Sequence, residues 1–406
     1  MNEQLIVKNF GPIKDATVDF KRVTVFIGPT GGGKSTLAKL AAIFLGGQVK
    51  VVDNKVNIDQ PLRYYNISNY KELNSSIVWR KSNGNHFMVD KPIEVEFEFE
   101  NALTSKGVVE DLVNKLTNQF ARETGITGLA NEEIKKAFIN QLVEAHLNGR
   151  PNGKSDLYSV NYIPTERVFI PAIEYSWAGL MRDDIGLPKL LLDFANDFSL
   201  SRSEVLELDI PFLNVKYFHV GGRDFIKIPN RESLLMLLET ASGIQSVTPL
   251  LVLLEHLSRN TEQAQSFIIE EPELNLYPTA QRDLVYWLLE KCTQGENDLT
   301  ITTHSPYVLS ALNLALYANK VATLFPHQRK KVAKLIPEKY WLKAEEFSAY
   351  FVAKGDAKSI FDTKTGLLSE SQLDEVSGEF ADVFDRLTDL RAPEKKAPTK
   401  AKTAKK

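Results

Sequence analysis

The chain has 406 residues, of which 43% are hydrophobic, 25% charged and 10% aromatic. This composition is typical of a globular protein with a hydrophobic core, and it excludes a disordered or collagen-like chain. The formal net charge of −3 gives no global signature of a polyanion-binding protein.

The charge is distributed unevenly along the chain. Residues 391–406 carry a net charge of +6, whereas residues 1–390 carry −9. The tail contains Pro393, Pro398 and otherwise mainly Ala, Lys and Thr, so we expect it to be disordered. It is either a solvated solubility tail or a weak contact to nucleic acid or an acidic partner.

The sequence also bears on compartment and metal content. Cys292 is the only cysteine, which excludes an internal disulfide framework and a cysteine-rich zinc site and favours a reducing compartment. No run of 18 apolar residues exists, so we expect a cytoplasmic protein that is neither secreted nor membrane-spanning. The six histidines are too far apart for a zincin or zinc finger, and we expect no structural metal.

Three short apolar segments, LIVKNF, ATVDF and RVTVFI, predict three strands within residues 1–27. The third strand leads into GPTGGGKST, residues 28–36, which is followed by an apolar helical stripe that ends at Gly46-Gly47. The predicted order is strand, glycine-rich loop, helix.

Residues 48–157 are predicted to be an inserted α+β lid or arm subdomain. The strand-like runs VVDNKVNI, SSIVWR and IEVEFEFE precede two amphipathic helices, with stripes over residues 109–120 and 134–143. We expect these stripes to pack against the subdomain's own sheet, and a partner-binding groove is the alternative.

Core patterns return after residue 158. Residues 233–257 show two apolar helical patterns interrupted by Gly243, and two buried-strand runs follow, SFII and LTITT. Short apolar strands separated by helices are typical of a parallel sheet buried on both faces. The predicted divisions are 1–47 and 158–340 for the two parts of one head domain, 341–390 for a C-terminal α/β extension and 391–406 for the tail.

The loop of residues 28–35 matches the phosphate-binding pattern G-x-x-x-x-G-K-[ST]. Its glycines can expose successive backbone N–H groups to phosphates, and the following helix directs the positive end of its dipole at them. Lys34 adds a charge at the β- and γ-phosphates, and Ser35 offers a hydroxyl to Mg²⁺. The predicted nucleotide-binding residues are Gly28, Pro29, Thr30, Gly31, Gly32, Gly33, Lys34, Ser35 and Thr36.

Two acids and a histidine follow the two buried strands. Glu270 and Glu271 end one strand, at the edge where ligands of open α/β sheets collect. Because adjacent carboxylates repel each other, a bound cation is their simplest explanation. Glu270 is placed to hold Mg²⁺ through water and Glu271 to deprotonate the attacking water, while His304 is predicted to contact the γ-phosphate. Solvated acids and a structural histidine are the alternatives.

The segment ASGIQ, residues 241–245, is a small-residue turn that opens a helix. Such a turn offers a hydroxyl, free N–H groups and a helix N-terminus, which together make an anion site. Residues 28–35 already supply one such site in this chain. Ser242, Gly243 and Gln245 are therefore predicted to meet the nucleotide of a second subunit.

GPTGGGKST, ASGIQS, FIIEEPELNLYP and ITTHSP together resemble the ABC-type ATPase heads of the SMC, RecF and OLD group, and especially its bacterial AAA ATPases. Their order is that of Walker A loop, signature, Walker B and switch histidine, and the resemblance covers about residues 1–46 and 158–320. It implies a P-loop α/β head with a mixed sheet and N-terminal antiparallel strands, and ATP and Mg²⁺ as ligands.

The resemblance also implies a homodimer formed on ATP binding, in which Lys34 and Glu271 of one head face Ser242 and Gly243 of the other. Catalysis would rest on Lys34, Glu271 and His304. Ile244 replaces the second glycine of the LSGGQ signature, so we expect slow hydrolysis.

Three further positions are marked by this comparison. Glu270 stands where Asp is commoner. Gln60 is a candidate for the Q-loop because it follows the strand after the Walker helix, and Arg167 of IPTER is a candidate contact to phosphate or to Glu271.

Our leading hypothesis is an ATPase whose ATP-dependent dimerisation gates a separate effector, a nuclease or toxin, in anti-phage defence or genome maintenance. No Asp-x-Asp pair for a Toprim nuclease occurs in the chain, so the effector would be another protein. The alternatives are a RecF-like DNA-binding repair ATPase, which the acidic body disfavours, and a non-hydrolysing ATP-dependent scaffold.

Overall fold

The computed structural model describes residues 3–47, 49–52, 55–81, 86–90, 158–173, 186–259, 263–369 and 383. The chain divides into two compact units, residues 1–368 and 369–406, and the elements below all belong to the first. The predicted helices at 109–120 and 134–143, the run IEVEFEFE and the basic tail lie outside the described residues.

The described strands, in chain order, are β1 (Glu3–Phe10), β2 (Ile13–Phe20), β3 (Val23–Ile27), β4 (Lys50–Val52), β5 (Lys55–Asn57), β6 (Lys71–Arg80), β7 (His86–Asp90), β8 (Tyr158–Ile163), β9 (Glu207–Ile210), β10 (Val215–Val220), β11 (Arg223–Lys227), β12 (Leu235–Met236), β13 (Ala264–Glu270), β14 (Asp298–Thr303), β15 (Phe347–Ala353), β16 (Asp356–Ser359), β17 (Phe361–Asp362) and β18 (Leu367–Leu368). The α-helices are α1 (Lys34–Leu45), α2 (Asp59–Tyr64), α3 (Lys189–Glu204), α4 (Ser242–Ser258), α5 (Pro278–Cys292), α6 (Pro306–Leu324) and α7 (Arg329–Leu335). A 3₁₀ turn, Thr165–Phe169, follows β8.

A ten-stranded mixed sheet organises the unit, in the order β7-β6-β1-β2-β16-β15-β3-β14-β13-β8. The five strands from β15 to β8 are parallel, whereas β7, β6, β1 and β2 are antiparallel to one another. Every residue of β3 and β14 is buried, as expected for parallel strands covered on both faces. The predicted fold class, a P-loop α/β fold with a mixed sheet and N-terminal antiparallel strands, is confirmed.

The first boundary predicted from the sequence differs from the structure. β6, which falls within the predicted insertion 48–157, pairs with β1 over Gln4–Lys8 and so extends the main sheet. Its Trp79 is completely buried, stacked on Phe44 of α1 with ring centroids 5.5 Å apart. The head therefore includes at least residues 71–80, because the apolar face of α1 is completed by this strand.

The C-terminal boundary differs in the same way. β15 and β16, predicted as part of an extension after residue 340, lie inside the main sheet, and β15 pairs with β3 directly before the glycine-rich loop. Phe347, Ala349 and Val352 of β15 are buried. Sequence periodicity can identify such a segment as a strand, but it does not predict which strands will pair with it in the sheet.

The helix predicted before Gly243 is wrong. Leu235–Met236 is instead an edge strand that pairs with β11, and Leu237–Glu239 is a 3₁₀ turn. This segment belongs to a separate four-stranded antiparallel sheet, in the order β12-β11-β10-β9. Pairing with β11 prevails over the helical propensity of a leucine-rich run. Gly243 is the second residue of α4, the helix predicted to follow it, whose Val247, Leu250, Leu251 and Leu254 are buried.

Among the described residues, no single helix is both long enough and apolar enough to cross a membrane. The helix pair Pro306–Leu324 and Pro326–Leu335 meets the length and hydropathy criteria jointly, with a bend of 118° between the two parts.

Replacing Trp79 with Ala should destabilise the unit built on the ten-stranded sheet. Truncating a fully buried tryptophan removes about 3–5 kcal/mol of stability, because a cavity opens between Phe20, Phe44 and β6. Leu73→Ala on the same strand is the matched control, since Leu73 is 81% exposed and should change the free energy of unfolding by less than about 0.5 kcal/mol. Urea denaturation measures both. An unchanged main transition in Trp79→Ala would place β6 outside the head.

Candidate nucleotide and catalytic site

The glycine-rich loop joins β3 to α1 and lies against the end of β15. A Cβ atom at Gly28 would come within 2.2 Å of the Val352 carbonyl oxygen, and one at Gly32 within 2.4 Å. Both positions therefore have room only for glycine. The C-terminal strand β15 thus supports the loop from beneath, which the sequence did not indicate.

A cavity of about 310 Å³ opens above the loop. Of the predicted residues it is lined by Thr30, Gly31, Gly33, Lys34, Ser35, Thr36, Glu271 and His304. Gly11, Pro12 and Tyr70 complete the wall. Tyr70 had no recognisable signal in the sequence because it lies in the stretch assigned to the insertion, and it reaches the site because Gly11 donates its N–H to the Tyr70 carbonyl (2.9 Å).

Lys34, the first residue of α1, is part of the cavity wall. Its Nζ donates hydrogen bonds to the carbonyl oxygens of Gly28 and Pro29, both at 3.0 Å, and lies 3.1 Å from His304 Nε2. Burial lowers the pKa of the Lys34 ammonium, and the carboxylates of Glu271, Glu273 and Glu270 oppose that shift. The ammonium is thus held by hydrogen bonds to the carbonyls of the preceding loop and by the negative charge of the three nearby glutamates.

His304 bridges Lys34 and Glu271. Its Nε2 lies 3.1 Å from Glu271 Oε1 as well as 3.1 Å from Lys34 Nζ. A protonated Nε2 donates to Glu271, whereas an unprotonated Nε2 accepts from Lys34, so one neutral ring satisfies only one of the two neighbours. The predicted catalytic trio is therefore connected through His304, and the tautomer of the ring decides which neighbour Nε2 bonds.

Glu270 lies behind the trio at the end of β13. It is 4% exposed, and its Oε1 is buried without a hydrogen-bond partner among the described residues. The Tyr162 hydroxyl lies beside it. The pKa of Tyr162 is raised well above its usual value, mainly by burial and to a smaller extent by the negative charge of Glu270. An unpartnered buried carboxylate oxygen fits a hard cation such as Mg²⁺, for which the Ser35 hydroxyl on the cavity wall is a second oxygen donor.

Glu271 has an unusual backbone. Its φ is +42°, a conformation that costs a non-glycine residue on the order of 1–3 kcal/mol. Arg167 contacts Glu271, one of its two predicted alternatives, and it does so through the main chain. The guanidinium donates to the main-chain carbonyls of Glu270 and Glu271, not to the Glu271 carboxylate, and Arg167 is not among the residues that line the cavity.

Glu273 is a functional candidate that the sequence reasoning missed. Its Oε1 accepts hydrogen bonds from the Thr303 hydroxyl and from the His304 N–H (3.1 Å). Burial raises the pKa of the Glu273 carboxyl, and these hydrogen bonds oppose the shift. Glu273 therefore connects the turn after β13 to His304 through hydrogen bonds. Its signal was the third glutamate of EEPE.

The signature-like turn lies apart from the cavity of the same chain. Ser242 is exposed at the start of α4, whereas Gly243 is buried, and a Cβ there would come within 2.6 Å of the Asn275 carbonyl. The Gln245 amide donates to the carbonyls of Leu238 (2.9 Å) and Thr240 (2.6 Å). None of the three lines the cavity described here.

Gln60, the Q-loop candidate, lies in α2 with its side chain exposed. It is not among the residues that line the cavity. The structure does not bring it together with the Walker residues.

A family model described as an AAA ATPase domain matches residues 1–162 and 192–309, and so includes the Walker loop, the signature-like turn, Glu270, Glu271 and His304. The chain belongs to the AAA ATPase domain family. Membership accounts for the strand, loop and helix that build the cavity, and it identifies the chain as an AAA-type ATPase with a nucleotide-binding site. No curated protein sequence gives a significant match.

The solved structures to which the chain shows similarity include two SMC head domains. The SMC head domain from Thermotoga maritima is 12% identical, with a TM-score of 0.39, and the alignment covers 89% of this chain and 98% of that chain. The Smc head domain from Pyrococcus furiosus, with an extended coiled coil and bound to the C-terminal domain of ScpA, is 11% identical, with a TM-score of 0.36 and coverage of 93% and 98%.

Gly32→Ala should weaken nucleotide binding by this AAA ATPase. The added methyl group would clash with the Val352 carbonyl, and overpacking of about 1–3 kcal/mol would displace the loop. The Kd for ATP, measured by calorimetry, should rise roughly 10- to 100-fold. Gly186→Ala is the control, because Gly186 is exposed with open space around its Cα. Equal affinities in the two variants would contradict the supporting role of β15.

Proposed function

We propose that this protein is a cytoplasmic ATPase that binds and hydrolyses ATP as a homodimer, and that the ATP-dependent pairing gates a separate effector. The observation that carries the proposal is the convergence of Lys34, His304 and Glu271 in one cavity beside the glycine-rich loop, with both His304 contacts at 3.1 Å. A cation, a titratable ring and a carboxylate at the mouth of a phosphate-binding loop are suited to phosphoryl transfer to water.

Each side chain has a distinct role in this proposal. The loop amides and the N-terminus of α1 hold the phosphates, and the Lys34 ammonium neutralises charge at the β- and γ-phosphates. Glu271 Oε1 takes a proton from the attacking water, and His304 Nε2 contacts the γ-phosphate and the carboxylate together. Mg²⁺, when bound at Ser35 and Glu270, would supply further neutralisation of phosphate charge.

The dimer is supported by the contacts and the exposed side chains near the starts of α4, α5 and α6. Gly243 packs on Asn275, and the turn of residues 271–277 leads into α5, whose Gln281 accepts a hydrogen bond from Ser305 at the start of α6. Two large aromatic side chains are exposed at these helix starts, Tyr277 at 76% and Tyr307 at 51%. Exposed tyrosines are enriched in protein interfaces. Ser242, also exposed, would reach the nucleotide of the second copy with Gly243 and Gln245.

The effector in this proposal is a nuclease or toxin in anti-phage defence or genome maintenance. Its activity would be released or restrained as the two heads close and open, since ATP would stabilise the closed pair only through contacts absent from the open one.

Glu271→Gln should abolish most hydrolysis without loss of ATP binding. The amide cannot accept the proton of water, so steady-state phosphate release should fall by about 10² to 10⁴, while the Kd for ATP changes little. Lys34→Ala is the paired variant, and it should weaken ATP binding itself because the phosphates lose a cation. Phosphate release at the native rate in Glu271→Gln would eliminate Glu271 as the base.

Ser242→Arg should prevent ATP-dependent dimerisation and thereby lower ATP turnover. The bulky side chain would block the second copy at the start of α4, so ATP-dependent dimerisation, measured by light scattering in the Glu271→Gln background, should be lost. The same substitution in the native chain should lower turnover. Ser203→Arg is the control, since Ser203 is exposed near the other end of α4, where Arg259 bonds to the Glu204 carbonyl. A Ser242→Arg protein that still dimerises with ATP would contradict the proposed pairing.

A further inference from the structure

Arg167 is a completely buried cation with an unusual set of partners. Nη1 donates to the carbonyl oxygens of Pro164 (2.9 Å) and Glu270 (2.7 Å), and Nη2 donates to the carbonyl oxygen of Glu271. Its hydrogen bonds therefore connect the 3₁₀ turn after β8 to the end of β13. Both of the acids whose carbonyls it binds are predicted site residues.

The charge of Arg167 is retained in this interior. Burial lowers the pKa of Arg167 to about 10, and the carboxylates of Glu273, Glu270 and Glu271 oppose that shift. The guanidinium is thus cationic at neutral pH. Its counter-charges are the acids of the Walker B turn, although its hydrogen bonds go to main-chain oxygens.

The Glu271 peptide is held from both sides. Its N–H donates to the Thr302 carbonyl (2.8 Å), and its own carbonyl accepts from the Leu274 N–H (3.1 Å) as well as from Arg167. Between these bonds lies the left-handed backbone, with φ of +42°. A non-glycine residue stays in this region only when its surroundings impose it.

The left-handed turn determines where the Glu271 carboxylate lies. Glu270 is the last residue of β13 and is buried, whereas Glu271 breaks from the strand, and its Oε1 reaches 3.1 Å from His304 Nε2. If the turn relaxed to an extended conformation, the side chain would take a different direction from the Cα atom. The position of this carboxylate therefore depends on the bonds that fix the main chain.

We propose that Arg167 is a positioning residue for ATP hydrolysis, which holds Glu271 in its left-handed conformation by binding the Glu270 and Glu271 carbonyls. The inference rests on the proposed function in one respect, the role of Glu271 as the base. Arg167 acts through the main chain and does not touch the nucleotide, since it is 0% exposed and not among the residues that line the cavity.

A lysine would not reproduce this arrangement of bonds. The guanidinium donates from two separate nitrogens, Nη1 to the Pro164 and Glu270 carbonyls and Nη2 to the Glu271 carbonyl, whereas an ammonium on a side chain of different length has to make every bond from one nitrogen. Arg167→Lys keeps the positive charge and removes the two-nitrogen geometry. It therefore separates orientation from charge.

The test compares Arg167→Lys with Arg22→Lys. Arg22 also donates through Nη2 to two main-chain carbonyls, those of Thr293 and Gly295. It lies at the opposite end of β3 from the glycine-rich loop, and so away from the nucleotide site. We expect Arg167→Lys to lower kcat about 10²-fold, the loss typical of misplaced reacting groups, with the Kd for ATP within about threefold of native. Arg22→Lys should change neither. If Arg167→Lys does not fold, Arg167→Gln, which buries no charge, takes its place.

A double-mutant cycle with Glu271→Gln completes the test. If Arg167 acts through Glu271, Arg167→Lys should lower phosphate release little further in the Glu271→Gln background. Native kcat in Arg167→Lys, or an equal additional loss in the Glu271→Gln background, would overturn the positioning role. A Glu271→Gln protein with native turnover would instead contradict the proposed function, so the two failures can be told apart.

Discussion

The parallel pairing of β3, β14 and β13 is the constraint on which the site depends. Ile27 of β3 pairs with Thr303 of β14, and Thr302 pairs with Glu270 of β13. The residues that follow these three strand ends are the glycine-rich loop, His304 and Glu271. Because parallel strands end at one edge of the sheet, a register fixed by buried apolar residues places a phosphate loop, a histidine and a carboxylate side by side.

Several buried charged side chains meet at the turn after β13, namely Arg167, Glu270 and Glu273. Arg167 binds the carbonyls of this turn and Glu273 binds the His304 N–H, while one Glu270 oxygen has no hydrogen-bond partner within the described part of the chain. Removing one member of such a group leaves the others unpaired in a low-dielectric interior, which is strongly unfavourable. The contacts proposed to position the Glu271 carboxylate therefore also restrain the turn.

Contacts within one chain connect the signature-like turn, proposed to meet the nucleotide of a second copy, to the residues around the chain's own nucleotide cavity. The signature-like turn touches the Walker B turn where Gly243 meets Asn275, and Gln281 of α5 joins Leu276 to Ser305 at the start of α6. A second copy bound against Ser242 would therefore press on elements that lead back to His304. Pairing and hydrolysis would be coupled through packed main chain.

The sequence by itself determined the fold class, the phosphate loop and the three catalytic candidates. These signals are local: a strand, a glycine-rich loop and a helix follow one another directly, and the polar residues stand at the ends of apolar runs. Strand neighbours were decided only by tertiary structure. β6 and β15 entered the central sheet, and Leu235–Met236 became a strand, because pairing partners far away in sequence were available. Arg167 and Glu273 gained their roles for the same reason, since a buried charge takes its partners from whatever main chain the fold brings to it.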